Sequence, residues 1–283
     1  MKLVSFTHKG ESSWGALTEA GVFDFRRLSG GEWPSLRHAL AVQAGTQLNL
    51  LVDAGQATFQ LQDVALQPVI PGPIKILCSE FCDGDSAAVQ RLPLISKRDV
   101  FTRLPSTLVG HGEPIVRPAD TDQFELRGRL AVVIGRAGRR IPRELARDYV
   151  AGYAPFCDTS LREWRRPSRS RMPSMNFPMT CGIGPWMSMR DASGEEADFH
   201  ITTRVNGTEI DHQLATGLSR DIADTIAYCS AFTALEPGDI LVVGGRRHAD
   251  LKPGRHYLKP GDTIEVEVAN VGTLYHPVVD EVR

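Results

Sequence analysis

The sequence predicts an α+β protein rich in β-structure, in which a small N-terminal α/β domain precedes a larger mixed β-domain. Leu130–Ile134 is a continuous apolar run between an arginine and a glycine, which is typical of a fully buried strand. Asn206-Gly207 follows a strand-like segment and is the strongest short-range signal for a β-hairpin. The stretch Pro68–Pro73 contains three prolines and cannot continue a helix, so it separates domain 1–70 from domain 73–283.

The individual elements follow from the spacing of apolar residues. Strands are expected where apolar and polar residues alternate, and helices where apolar residues recur at helical spacing. Domain 1–70 is predicted to contain strands at Lys2–Phe6 and Gly21–Phe25 and helices at Ser35–Ala44 and Leu48–Ala54. Domain 73–283 is predicted to contain the strands Leu130–Ile134, Thr202–Val205, Ile240–Val243, Thr263–Val268 and Thr273–Tyr275 and the helix Asp221–Phe232.

The composition is that of an ordinary globular protein. Apolar residues make up 42% and charged residues 23% of the 283 positions. The formal net charge of −2 gives no reason to expect binding to nucleic acid or to an anionic membrane. No apolar run has the length of a signal peptide or a transmembrane helix, and the five cysteines are scattered. We therefore expect a cytoplasmic protein with free thiols and without a nucleic-acid or membrane partner.

Two segments carry a family pattern. Phe124–Gly135 reads Phe-Glu-Leu-Arg-Gly-Arg-Leu-Ala-Val-Val-Ile-Gly, and Gly152–Glu163 reads Gly-Tyr-Ala-Pro-Phe-Cys-Asp-Thr-Ser-Leu-Arg-Glu. Together they resemble the metal-site segment of the fumarylacetoacetate hydrolase family. Turn and packing motifs of that family follow in order at Arg204–Gly207, Ile226–Ser230, Leu235–Asp239, Leu258–Asp262 and Val271–Leu274. The resemblance covers nearly the whole chain and implies a rolled mixed β-fold behind a small N-terminal domain, assembled as a homodimer.

The residues at the family's chemical positions differ from the family pattern. In the family, two glutamates and one aspartate hold a divalent cation that stabilises the enolate of a 1,3-dicarbonyl or a 2-oxo acid. Here the glutamate positions are Arg127 and Arg129, and only the aspartate remains, as Asp158. The family's catalytic His–Glu pair falls on Ser86 and Val89. Guanidinium groups repel a cation and have no lone pair to offer it, so no bound metal is expected.

Other substrate-binding positions of the family have changed as well. A family lysine becomes Arg103, a Lys-Ser-x-Asp element falls on Met175–Pro178, and a Thr-Gly-Thr-Pro loop falls on Val243–Arg246. The resemblance therefore implies a pocket in which arginines and histidines contact the substrate. The predicted substrate-binding residues are Arg103, Arg162, Arg246, His212 and His248.

Arg127 and Arg129 are two residues apart, so on a strand their side chains point to the same face. The resemblance implies that this face lines the pocket, although a solvated strand edge is an alternative interpretation. An arginine paired with Asp158 would take the place of the cation and offer planar donors to a carboxylate or an enolate oxygen. A replacement for the lost base is less clear, since a Ser–Asp pair without histidine is a poor nucleophile system. The predicted catalytic residues are Arg127, Arg129, Asp158, Ser86, Asp85 and Glu80.

The segment Leu161–Arg171 is rich in arginine. Its arginines are Arg162, Arg165, Arg166, Arg169 and Arg171. Because the resemblance places this segment over the active site, it is interpreted as a lid that recruits an anionic substrate; a solvated loop is the alternative. A nucleic-acid patch is not favoured, because the run is short and the chain is net negative.

Three functional hypotheses remain open. The first is a divergent enzyme acting on a small anionic 2-oxo acid or β-dicarbonyl without a metal, by decarboxylation, tautomerisation or cyclisation rather than water-dependent C–C cleavage. The second is a catalytically silent homologue that binds an anionic metabolite or serves an active partner subunit. The third is a conventional Mg²⁺- or Mn²⁺-dependent C–C hydrolase in which Asp158 works with Glu80 or Glu125.

Overall fold

The structure is a computed structural model that describes residues 1–81, 98–165, 170–190, 199–213, 218–244 and 256–282. Its strands are β1 Lys2–His8, β2 Glu11–Thr18, β3 Gly21–Asp24, β4 Ala65–Leu66, β5 Ile76–Phe81, β6 Arg98–Arg103, β7 Leu108–Val109, β8 Ile115–Arg117, β9 Phe124–Ile134, β10 Val150–Leu161, β11 Cys181–Ile183, β12 Met187–Met189, β13 Ile201–Val205, β14 Thr208–Gln213, β15 Ile240–Val243, β16 Thr263–Val268 and β17 Gly272–Asp280. The α-helices span Phe25–Leu28, Leu36–Ala41, Gly45–Ala54, Arg162–Arg165, Met172–Met175 and Leu218–Phe232, and 3₁₀ helices span Leu61–Asp63, Pro105–Thr107 and Arg143–Tyr149.

The larger of the two sheets brings distant strands together. Its main path runs β3-β2-β1-β12-β10-β9-β15-β5-β6. The long strands β9 and β10 are antiparallel, and their register sets Arg127 opposite Asp158 and Arg129 opposite Phe156. Strand β15 lies between β9 and β5 and is parallel to β5. This order places the end of β5, which carries Glu80, two strands away from the arginines of β9.

The smaller sheet has the order β14-β13-β16-β17-β8 and packs on the large sheet. The small sheet approaches β9 closely at Gly128, where an added Cβ would lie 2.3 Å from Thr203 Oγ1 and 3.1 Å from Val266 Cγ1. Apolar side chains of both sheets, including Leu130 and Ile201, form one core cluster. Along β9, the even-numbered residues thus point into the core between the two sheets. The odd-numbered residues, which include Arg127 and Arg129, point to the opposite face of the large sheet.

The N-terminal strands extend the large sheet. Strand β1 pairs with β12 in antiparallel register, with Leu3 opposite Met187. The second core cluster likewise combines Trp14 and Phe25 of the N-terminal segment with Val133 and Phe156 of the long strands. Whether residues 1–70 fold as a domain of their own stays a prediction.

The predicted fold class is confirmed, and the differences in element bounds have local causes. The strand predicted at Gly21–Phe25 ends at Asp24, because the Asp24 carboxylate accepts the Arg27 N–H at 3.1 Å and caps the helix that follows. The helix predicted to reach Ala44 ends at Ala41, two residues before Gln43 with φ of +55°. The hairpin turn has φ of +52° at Asn206 and +74° at Gly207, as a type I′ turn requires. Among the helices of the described residues, none has both the length and the apolar character needed to cross a membrane.

Candidate functional site

Asp158 lies between two buried arginines. The Asp158 side chain is on β10, and its carboxylate is almost inaccessible to solvent. Arg103 Nε at the end of β6 donates to Asp158 Oδ1 at 2.8 Å, and Arg129 Nη1 on β9 donates to Asp158 Oδ2 at 3.1 Å. Arg103 and Arg129 are fully buried too. The pairing of Asp158 with an arginine, inferred above from the residue types, is therefore present twice.

Arg129 is held by fixed acceptors on every side. Its Nε donates to Gly244 O at 3.0 Å, and its Nη2 donates to Val242 O at 3.1 Å and to Ser79 O. With the bond to Asp158, four of its five N–H groups have protein acceptors. Its guanidinium therefore serves as an internal cation, and its donation to a substrate stays a prediction. Its complete burial also excludes the solvated strand edge.

Arg103 is bonded to several acceptors of the protein. In addition to Asp158, its guanidinium donates to Met175 O and Thr159 O, which again uses four of five N–H groups. That Arg103 contacts substrate stays a prediction. Its position ties β6 to β10 and to the short helix Met172–Met175.

The second carboxylate of the site, Glu80, is surrounded by guanidinium groups. Arg127 Nη1 donates to Glu80 Oε1 at 2.8 Å, and Arg171 Nη1 donates to Glu80 Oε2. Arg165 Nη2 lies 3.8 Å from Oε2, and Arg129 Nη1 lies 4.0 Å from Oε1. We call the set Arg103, Arg127, Arg129, Arg165, Arg171, Asp158 and Glu80 the arginine cluster.

The electrostatics of the arginine cluster keep both carboxylates ionised. Burial by itself raises the pKa of Glu80, but Arg127, Arg129 and Arg171 together lower it to about 2. Burial likewise raises the pKa of Asp158, and its two arginines lower it below the usual range. Both groups are weak bases for this reason. Glu80 is therefore described here as a counter-ion, and its catalytic role stays a prediction.

Three buried cysteines pack beside the arginine cluster. Cys78, Cys157 and Cys181 are free thiols and inaccessible to solvent. Burial is the main reason why the pKa of each thiol is raised. They stay protonated at neutral pH and do not act as nucleophiles.

The remaining predicted site residues are spread over the chain. Arg162 Nη1 donates to Glu125 Oε1 at 2.8 Å, so the arginine is engaged with a buried carboxylate beside the cluster. His212 lies on β14, with Nδ1 at 3.0 Å from Thr202 Oγ1 and its ring stacked on His200. The predicted residues outside the described part of the chain are Ser86, Asp85, Arg246 and His248.

Two residues of the arginine-rich segment have a more definite position than the sequence predicted. Arg165 and Arg171 were expected in a lid or a solvated loop, and both instead reach Glu80. Arg171 Nε also lies 3.0 Å from Asp99 Oδ2. The high arginine content of the segment drew attention to these residues in the sequence. Nothing local in the sequence indicates which carboxylate their guanidinium groups contact.

A divalent cation does not fit the described residues. Both oxygens of Asp158 and both oxygens of Glu80 accept hydrogen bonds from arginines. The Glu125 carboxylate, the other ligand considered above, binds Arg162 and lies 3.5 Å from Ser160 Oγ. Within the described ranges, no three His, Cys, Asp or Glu side chains are grouped closely enough to hold a metal ion. Oxygen ligands free to replace the hydration shell of Mg²⁺ or Mn²⁺ are thus lacking in this part of the chain.

A cavity of about 720 Å³ lies elsewhere in the molecule. Its walls include Leu66, His111, Trp186 and Gly272, and no member of the arginine cluster lines it. The cavity is therefore separate from the candidate site.

Comparison with known proteins supports the family that the sequence motifs resemble. The chain is 28% identical to a mitochondrial oxaloacetate tautomerase of Xenopus laevis over 232 residues, covering 81% of this chain and 72% of the relative. The structure of fumarylacetoacetate hydrolase from Exiguobacterium antarcticum matches with a TM-score of 0.82 and 26% identity, covering 99% of this chain and 100% of that chain.

The structure of maleylpyruvate hydrolase from Sphingobium sp. SYK-6 in complex with manganese(II) and pyruvate matches with a TM-score of 0.79 and 24% identity over the full length of both chains. This similarity shows the common fold. The family model described as the C-terminal domain of fumarylacetoacetate (FAA) hydrolase matches residues 76–279, which is most of the chain. The chain therefore belongs to the fumarylacetoacetate hydrolase family.

Proposed function

We propose that this protein is an enzyme that acts on a small anionic 2-oxo acid or β-dicarbonyl without a divalent metal. One observation carries the proposal. The guanidinium of Arg129 lies between the two acidic groups of the site, 3.1 Å from Asp158 Oδ2 and 4.0 Å from Glu80 Oε1. A permanent cation of the protein thus lies at the position where the resemblance described above implies a metal ion. The names of two matching proteins, oxaloacetate tautomerase and maleylpyruvate hydrolase, support a 2-oxo acid as substrate.

The charge of the arginine cluster supports an anionic substrate. Five guanidinium groups lie around the buried carboxylate of Asp158 and the half-buried carboxylate of Glu80, and Asp99 adds one more negative charge beside Arg171. Among the described residues of the arginine cluster, the positive charges of the arginines outnumber the negative charges of Glu80, Asp158 and Asp99. Arg127, Arg165 and Arg171 keep 11–19% of their side-chain surface exposed, so the excess charge faces solvent on one side. A carboxylate or an enolate would be attracted there.

Decarboxylation suits this site better than the other reactions considered. When a β-oxo acid loses CO₂, the C–C bond breaks, its electron pair passes to the ketone oxygen, and the resulting enolate takes a proton from water. No base is needed for that step, only positive charge near the developing enolate. The carboxylates of Glu80 and Asp158 are weak bases. Reactions that begin by deprotonating water or a C–H group therefore have less support from the arginine cluster.

Ligand binding without turnover is the second candidate. The low pKa of Glu80 and Asp158 favours it, because the described cluster offers charge complementarity without a base. In that case the protein would bind a small anion and release it unchanged.

Turnover of oxaloacetate and a panel of acylpyruvates in the presence of EDTA tests the proposal. We expect pyruvate to form from oxaloacetate faster than in enzyme-free buffer. The Arg127→Gln variant should lower kcat/KM about tenfold to hundredfold, because one positive charge near the developing enolate is lost. Arg204→Gln is a matched control, since Arg204 pairs with Glu267 at 2.7 Å on the small sheet. Turnover that needs added Mn²⁺, or no turnover of any compound, would overturn the proposal.

A further inference from the structure

The cavity of about 720 Å³ has the size of a small-molecule site. It lies apart from the arginine cluster, and we call it the Trp186 cavity. Four distant segments of the chain line it: residues 61–66, 111–113, 185–186 and 272–273. Its apolar wall consists of Leu61, Val64, Leu66, Pro185 and Trp186. A ligand with an apolar body would bury that body against this wall.

The indole of Trp186 is held in place by the protein. Its Nε1 donates to Val271 O at 2.6 Å, and Lys2 Nζ lies 4.3 Å from the ring centroid. Gly272 leaves room for the indole, because an added Cβ would lie 3.0 Å from Trp186 Cε2. An aromatic surface that is already ordered loses little conformational entropy when a second ring packs on it.

The two titratable side chains of the wall, His111 and Glu113, each use one hydrogen-bonding atom within the protein. Glu113 Oε2 accepts the Gly110 N–H at 2.5 Å, and His111 Nδ1 accepts the Tyr275 N–H at 3.2 Å. Glu113 Oε1 and His111 Nε2 have no hydrogen-bond partner among the described residues. Burial lowers the pKa of His111, so the neutral ring carries its proton on Nε2. The wall therefore offers an acceptor at Glu113 and a donor at His111.

The charge of the wall indicates the type of ligand. Of the described residues that line the cavity, all except Glu113 are uncharged at neutral pH. A carboxylate attracts a protonated amine and repels an anion. The anionic substrate proposed for the arginine cluster is therefore unsuited to this cavity, whereas an ammonium group suits Glu113 and a hydroxyl oxygen suits the donor of His111.

We propose that the Trp186 cavity is a second small-molecule site, which binds an aromatic amine with its ring on the apolar wall, its ammonium group at Glu113 and a ring hydroxyl at His111. No residue of the arginine cluster lines the cavity, so the inference does not depend on the proposed function. Because such a ligand would contact four segments of the folded chain at once, it should also raise the Tm.

Tyramine and 3-(4-hydroxyphenyl)propanoate test the inference as a matched pair of probes. They share the hydroxyphenyl-ethyl skeleton and differ in the charge of the terminal group. The measurement is the NMR shift of the Trp186 indole N–H, which the variant Trp186→Phe assigns. We expect tyramine to shift this resonance with a Kd on the order of 0.1–1 mM, as suits a ligand of about ten non-hydrogen atoms. The propanoate should bind about tenfold more weakly, because Glu113 repels it.

Two variants test the contacts. Glu113→Gln keeps an acceptor for the Gly110 N–H but removes the charge. It should weaken tyramine binding about twofold to fivefold and narrow the difference between the probes. Ala65→Phe places a ring in the cavity from a solvent-exposed position and should abolish binding. Arg204→Gln is the control and should bind tyramine like the unmodified protein.

Equal affinity for the two probes, no shift of the Trp186 resonance at millimolar tyramine, or unchanged binding in Ala65→Phe would each reject the inference. A second copy of the chain is the other occupant to test. If light scattering gave a lower mass for Ala65→Phe than for the unmodified protein, the cavity would be an interface between copies, and the small-molecule site would be overturned.

Discussion

At the scale of single residues, Arg127 and Arg129 show how a substitution of charge type changes a site without changing a fold. Both lie on β9 where the resemblance to the family implies glutamates, and the strand pairs with β10 in a continuous antiparallel register from Gly152 to Leu161. The sequence indicated that they share a face and that one pairs with Asp158. It did not indicate that Arg129 would use Ser79 O, Val242 O and Gly244 O as acceptors, because carbonyl positions depend on neighbouring strands.

Restoring the acidic residues should restore a metal site. The double variant Arg127→Glu/Arg129→Glu would place two carboxylates beside Asp158, and three such groups suit Mn²⁺ or Mg²⁺. We expect the variant to be less stable than the unmodified protein without metal, because like charges would be buried together. Added Mn²⁺ should raise its Tm, by the linkage of binding to folding.

The control for this experiment is Arg127→Gln/Arg129→Gln, which removes the same positive charges without adding ligands. Its Tm should not depend on Mn²⁺. A folded glutamate variant whose Tm and calorimetric titration show no response to Mn²⁺ would contradict the prediction.

At the scale of elements, strand β9 serves two partners at once. Its arginines face the candidate site, and Gly128 between them faces the small sheet. The alternation of side chains along a strand makes both possible. The sequence showed this alternation, but the need for glycine became visible only in the close approach of β13 and β16, whose residues are more than seventy positions away.

Substitution of Gly128 by alanine should therefore weaken the packing between the sheets. The new Cβ would lie 2.3 Å from Thr203 Oγ1 and 3.1 Å from Val266 Cγ1, so side chains or backbone must shift. We expect the free energy of unfolding to fall by about 1–3 kcal/mol, as for other overpacked cores. Urea titration measures it, with Gly45→Ala as control. At Gly45 the nearest atom to an added Cβ is Met189 Cε at 3.8 Å, and the helix should tolerate alanine. Equal stability of the two variants would show that the contact at Gly128 relaxes without cost.

At the scale of the whole molecule, His276 joins the two sheets. It lies on β17 of the small sheet, and its Nδ1 lies 2.8 Å from Glu113 O, to which it donates. The opposite ring nitrogen, Nε2, is buried, has no hydrogen-bond partner among the described residues and faces Gly182 of the large sheet, where an added Cβ would lie 1.9 Å away. A proton on Nε2 would find no acceptor among these residues.

Stability should consequently fall in mild acid. Burial lowers the pKa of His276 to about 4, with a smaller contribution from His111, although the bond to Glu113 raises it. Because the folded pKa lies below the unfolded value, the stabilisation is complete above about pH 6.5 and is lost as pH falls towards 4. The free energy of unfolding lost over the whole range is roughly 3 kcal/mol for such a shift of the pKa. Urea titrations between pH 4 and pH 6.5 should show that the free energy of unfolding falls as the pH falls, and His276→Asn should reduce this dependence on pH. An unchanged dependence in His276→Asn would assign the effect to other groups, such as His111.

The sequence by itself determined the strands and helices with clear periodicity, the hairpin at Asn206-Gly207 and the common face of Arg127 and Arg129, because these depend on local periodicity and turn chemistry. The tertiary structure alone decided which charges meet. Glu80 is 47 residues from Arg127 and 91 residues from Arg171 along the chain. The contact between Glu80 and Arg127 exists because the sheet places β5 two strands from β9, and strand order is a property of long-range packing that local spacing does not encode.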